Sequence, residues 1–130
     1  MRILLLTVVL AVLSGCATTV TREQWQSADY GEKLDNSVYL AYIQKSVQNS
    51  LIDPDSLRMS CADARKGWAK NINERAQFGW IVYCEVNAKN RFGGYVGAKP
   101  YIYLFKGDKV LVSIPNGYAS RGWDYDMILS

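Results

Sequence analysis

The chain is 130 residues long, carries a formal charge of +3 and contains no histidine. So small a charge gives no ground for a polyanionic partner, and the missing imidazole excludes Ser-His-Asp catalysis and histidine-ligated metal sites. Neither a P-loop nor a dinucleotide-binding fingerprint is present.

Met1-Arg2 places a positive charge ahead of Ile3 to Leu13, a run that is apolar except for Thr7. As a helix that run would rise only about 16 Å against a hydrocarbon core of about 30 Å, so it reads as a removable signal sequence. It ends in Leu13-Ser14-Gly15-Cys16, which resembles the lipobox of bacterial lipoproteins. The resemblance implies cleavage before Cys16, lipidation of its thiol and the membrane as a partner through that lipid. Ordinary cleavage after Ala17 is the alternative, and it leaves the cysteine unexplained. Ala17 stands where such lipoproteins of enteric bacteria carry an inner-membrane retention aspartate, so the expected address is the periplasmic face of the outer membrane. Export argues against nucleic acid as a partner.

The expected organisation is a signal peptide over 1–15, a lipidated N-terminus and tether over 16–33, and one α+β domain over 34–130. The tether reading rests on the Thr/Gln/Ser bias of Ala17 to Lys33, broken only by isolated Trp25 and Tyr30. A mature chain of 115 residues suits one modest core and buries about two-thirds of its unfolded surface. Losing Arg2 leaves fourteen Lys/Arg against twelve Asp/Glu, a mature charge of +2. That charge is uneven: Arg58 to Lys109 holds ten cations against four acids, whereas Cys16 to Leu57 holds three against six. The basic stretch either faces something anionic or is an ordinary solvated surface.

Asp35, Asn36 and Ser37 are N-cap candidates, and Leu40, Ile43, Val47 and Leu51 recur at helical steps, which predicts an amphipathic helix of about fourteen residues. Tyr39 and Tyr42 flank that stripe. Asp53-Pro54 ends the helix, because the residue before proline avoids the helical region. Leu57 to Ala62 then reads as a short strand, and Asp63 to Gln77 as a long polar connection. In Phe78 to Asn87, Trp80, Val82, Cys84 and Val86 share one face, with Ile81, Tyr83 and Glu85 on the other. Pro100 to Phe105 and Val110 to Ile114 read as two more strands, joined by a tight turn at Gly107-Asp108. Tyr118 to Ser130 is expected to pack on an edge.

With Cys16 lipidated, two cysteines remain in an oxidising compartment, and opposing strands would bring Cys61 and Cys84 into bridging reach. A reactive thiol needs a nearby base, and the chain has no histidine or CxxC motif to offer one. The predicted fold class is therefore α+β: one N-terminal amphipathic helix packed on a small antiparallel sheet of about four strands, braced by a Cys61–Cys84 disulfide.

Between two strands lies Asn87-Ala88-Lys89-Asn90-Arg91-Phe92-Gly93-Gly94-Tyr95-Val96-Gly97, rich in glycine, amides, cations and aromatics. In one reading the glycines and asparagines only shape a bend, with Phe92 and Tyr95 covering the core. In the other, Asn87, Lys89, Asn90, Arg91 and Tyr95 form an exposed contact surface. Together with Asp53-Pro54-Asp55-Ser56 and Ala28-Asp29-Tyr30-Gly31, this run resembles a family of small exported bacterial proteins and lipoproteins. That family carries a DPxS segment followed by a VNAKNxFGGYxG segment, and is defined by motif rather than by activity. The likeness spans about Asp53 to Phe105. Leu57 and Met59 depart from it, standing where the family usually has alanine and an aromatic.

The first functional expectation is a non-catalytic binding module of the cell envelope, with an envelope protein or a glycan as partner and with no cofactor or metal. The second is an inhibitor or immunity-type protein that blocks an envelope hydrolase or phage factor. A third, a small glycan-acting enzyme, requires a cleft with a carboxylate of raised pKa. Asp53 and Asp55 do not define such a pair; their place beside Pro54 suits a turn and a cap.

Overall fold

A computed structural model describes residues 19–116 and 122–127, so Cys16 and the signal sequence lie outside the described residues. Two helices, α1 (Arg22–Ser27) and α2 (Asn36–Gln48), precede a 3-10 turn over Pro54–Ser56. Six strands follow: β1 (Arg58–Cys61), β2 (Arg65–Asn71), β3 (Gln77–Asn87), β4 (Lys99–Lys106), β5 (Lys109–Ile114) and β6 (Trp123–Met127). They form one antiparallel sheet in the order β5-β4-β3-β2-β6, with β1 beside β2 on the same edge of β3.

The α2 helix starts where its capping chemistry places it. The Asp35 carboxylate accepts the Ser37 N–H, and Asn36 reaches forward to Asp63 and Ala64, fixing the helix to the bend between β1 and β2. Its buried stripe is Tyr39, Ile43 and Val47, one residue round from the expected Leu40 stripe. Leu40 and Tyr42 are exposed, although the Tyr42 ring still meets Phe105 edge-on. The rotation brings Tyr39 into the core, where its hydroxyl accepts the Leu34 N–H. A tyrosine can be buried that deeply because its polar end has a partner.

The expected sheet of about four strands with one helix is corrected to six strands and two helices, and two parts of the predicted organisation change with it. The expected polar connection over 63–77 contains β2, an interior strand between β3 and β6. Its lysines are compatible with an interior position because long stems can lie on apolar surface: Lys66 Nζ sits 5.1 Å from the Tyr30 ring centroid and 5.9 Å from that of Trp80. The tether reading is corrected from residue 22 onward. Thr21 and Gln24 form a reciprocal capping box at the start of α1. Trp25 meets Trp68 edge-on at 6.4 Å, and buried Tyr30 meets Phe78 at 5.9 Å. The Trp80 indole N–H donates to the Gly31 carbonyl, and Lys106 pairs with Asp29 at 3.0 Å. This segment is a strap across the sheet.

The sheet is apolar on both faces. Toward α2, Val82, Cys84, Val86, Tyr103 and Phe105 pack with Tyr39, Ile43 and Val47. On the opposite face Ile81, Ile102, Leu104, Val112 and Ile114 gather with Ala69, rimmed by Trp123, Tyr125 and Met127 of β6. Both alternating sets of β3 are therefore used. Cys61 and Cys84 are direct cross-strand partners and form the disulfide, whose ends are 23 positions apart. Closing such a loop contributes about 3 kcal/mol in the chain-entropy model. The β4–β5 hairpin turns at Gly107-Asp108 as expected, with Gly107 at φ 58°. Opposite Leu104 and Phe105 the register shifts by one residue, placing an extra residue, Leu111, in β5. At the crossing of β2 and β3, Gly67 pairs with Gly79. A Cβ on Gly79 would run into the Phe105 carbonyl oxygen, so glycine is required there.

Candidate functional site

The DPxS turn and the glycine loop meet at one residue. Pro54 pre-sets the helical φ of the 3-10 turn, which closes with Ser56 N–H and Oγ both donating to the Asp53 carbonyl. Ser56 is 7% exposed. Its Oγ accepts the Lys89 N–H at 2.9 Å, and its carbonyl accepts the Tyr95 hydroxyl at 2.9 Å. Residues 33 and 39 positions away are thereby clamped to the turn. Asp53 stands at the N-cap position of this turn, but its side chain makes no capping bond there.

Within the loop, Lys89 and Tyr95 form an antiparallel bridge, and Asn90 organises the tip. Its side-chain oxygen accepts the Phe92 and Gly94 N–H groups, its own N–H donates to Gly94, and its carbonyl accepts from Gly93. Gly93 at φ 78° completes the reversal in a backbone region that glycine adopts without steric cost. Outside the clamp, the Arg58 guanidinium lies 4.0 Å from the Tyr95 ring centroid and Lys89 Nζ lies 5.7 Å from it. The Tyr95 ring thus gathers one cation from β1 and one from the loop.

The five residues predicted for this loop divide by task. Asn90 and Tyr95 build its frame. Lys89 and Arg91 are exposed, and Asn87 is half-buried with its side-chain oxygen lacking a hydrogen-bond partner. Phe92 does not cover the core: it is 87% exposed at the tip, with Arg91 5.9 Å from its ring centroid. Beside the loop lies a groove of about 340 Å³ running from Leu51 and Ile52, just beyond α2, to Val96 and Tyr101, with Lys89 and Lys99 on its wall. Ile52 and Val96 are 71% and 55% exposed. Sequence reading passed over Ile52, Val96, Phe92 and Lys99 as members of this surface. The available signal was a phenylalanine between an arginine and two glycines, a place where the chain has no neighbour to cover it.

Among the described residues, no group of three or more His, Cys, Asp or Glu side chains is placed to hold a metal ion, and no helix is long and apolar enough to cross a membrane. The Gly31 N–H, followed by Lys106, holds the Asp29 carboxyl below the ordinary carboxylate value. Hydrogen bonds from Ser37 do the same for Asp35. Both carboxylates belong to structural joints, at the strap and at the α2 cap. No family model, curated protein or solved structure matches this chain.

Proposed function

We propose that this chain is a membrane-anchored periplasmic lipoprotein that acts as a non-catalytic interaction module of the cell envelope, using the clamped glycine loop and its groove as the contact surface. The observation that carries the reading is a large aromatic side chain, Phe92, held out in solvent by a loop whose backbone bonds are internally satisfied. Ordering such a tip before contact lowers the entropy cost of association. The surrounding surface combines apolar Ile52 and Val96 with cationic Lys89, Arg91 and Lys99. That mixture suits an envelope protein or glycan that offers both apolar and anionic groups. The resemblance to small exported proteins with DPxS and glycine-loop segments agrees with this reading, since those are the segments that Ser56 joins. The lipid on Cys16 and the outer-membrane address belong to the same proposal.

Affinity capture from intact envelopes tests it, using the tagged, lipidated protein beside a Lys89→Ala/Arg91→Ala variant. The clamp's hydrogen bonds come from the Lys89 backbone N–H and the Tyr95 hydroxyl, and neither removed side chain supplies one, so the variant is expected to keep its circular dichroism and stay within about 1 kcal/mol of the parent's stability while losing its partner. Equal recovery of the same partner by both proteins moves the contact surface elsewhere. The inhibitor reading shares this surface and is separated from the first by whether the captured partner is an enzyme that the protein silences.

A further inference from the structure

The strap fixes which end of the sheet an N-terminal anchor can reach. From Thr21 to Gly31 the chain is held by the capping box, by Trp25 on Trp68, by Tyr30 on Phe78 and by the Trp80 indole bond to Gly31. Thr19 and Val20, just upstream, share one depression with Lys70, Glu74, Arg75, Ala76 and Phe78, where β3 begins. Cys16 stands three positions before Thr19, and three fully extended residues reach at most about 11 Å. At this same end the turn joining β2 to β3 projects Ile72, which is 76% exposed. Its backbone is braced, since the Ile72 N–H donates to the Gly122 carbonyl at 2.7 Å.

We infer that the tip of the β2–β3 turn, with Ile72 foremost, is the face that rests on the phospholipid headgroup layer, and that β3 carries the glycine loop away from it. The inference rests on the reading of Cys16 as lipidated. β3 runs from Gln77 at the anchored end to Asn87 at the loop end. Its eleven residues span about 33 Å at the usual strand rise. Ile72 and Phe92, the most exposed of the large apolar side chains among the described residues, thus stand at opposite ends of one strand, Ile52 and Val96 lying with Phe92 at the loop end, and the two ends receive different partners. The neighbourhood of the turn mixes Lys70 and Arg75 with Glu74 and Asp124, so anionic lipid is not required for the contact. A lone isoleucine contributes little membrane affinity; the covalent anchor supplies the local concentration and the turn sets the orientation.

The test uses the mature, lipidated protein in phosphatidylethanolamine/phosphatidylglycerol vesicles, carrying a single fluorophore on Ile72→Cys or on Phe92→Cys. Both sites are open, so labelling needs no unfolding. A quencher carried on the lipid is expected to dim the label at 72 several-fold more than the label at 92, and aqueous iodide to do the reverse. Equal quenching at the two sites, or the opposite order, in protein whose mass shows acyl chains on Cys16 overturns the orientation alone. A mass without those chains removes the anchor reading and the orientation with it.

Discussion

Ser56→Ala is the substitution that most directly examines the clamp between the two motifs. It removes a hydroxyl that donates to the Asp53 carbonyl at 2.8 Å and whose oxygen accepts the Lys89 N–H at 2.9 Å. Each bond is worth roughly 0.5–1.5 kcal/mol net, and the Lys89 amide is left facing a methyl group, so the loss should be about 2 kcal/mol. For a domain of this size that corresponds to a fall of about 8 °C in the thermal midpoint. Tyr95→Phe removes only the hydroxyl bond to the Ser56 carbonyl and should cost about 1 kcal/mol. Urea denaturation measures both losses, and amide exchange localises them: the Lys89 N–H should exchange faster in Ser56→Ala, while the strands toward β5 keep their protection. A change under about 0.5 kcal/mol, with Lys89 exchange unaltered, would show that the bond to Ser56 does not hold the loop.

Other expectations follow from the same packing. Gly79→Ala should prevent normal folding or lower the midpoint drastically, because its methyl meets the Phe105 backbone; Gly93→Ala, with open space around it, should disturb only the loop at a cost of about 1 kcal/mol. Circular dichroism melts distinguish the two. Replacing Cys61 and Cys84 together by serine should cost about 3 kcal/mol of stability in urea denaturation. The Asp29 carboxyl is depressed on folding, so its contribution to docking the strap is present above its unfolded value and lost as pH falls through the folded one. A pH titration followed at the Gly31 amide should therefore show a midpoint below 3.8, and Asp29→Asn should abolish the transition. A midpoint at or above 3.8 refutes the Gly31 bond as its cause.

How far the sequence could be read depended on whether a signal was local. The strict alternation of β3 placed Cys84 in the core and opposite a strand holding Cys61, and the Asp35 cap marked the start of α2, whereas the helix ends at Gln48, short of the expected Asp53-Pro54 stop. The strand β2 was hidden because Arg65, Lys66 and Lys70 look like loop residues until the folded chain brings the Tyr30 and Trp80 rings beside Lys66. For the same reason α1 escaped notice: Thr21-Arg22-Glu23-Gln24 is a legible capping box, but six residues with no apolar stripe gain their stability from Trp25 and Tyr30 meeting distant rings. The glycine loop was visible as a candidate, since its composition alone marks it. Its division of labour was not, because Ser56 belongs to a motif more than thirty positions earlier, and only the folded chain shows that Tyr95 supports the loop while Phe92 is presented.

The central claim is that the loop tip is where a partner docks, and photo-crosslinking in living cells addresses it most directly. A photoreactive residue in place of Phe92 is compared with one in place of Val38, an exposed site on α2. The account predicts a discrete adduct with one recurrent envelope component at position 92, absent at 38 and lost when Lys89 and Arg91 are both alanine. No adduct at 92, or the same adduct at both sites and in the double variant, would contradict it.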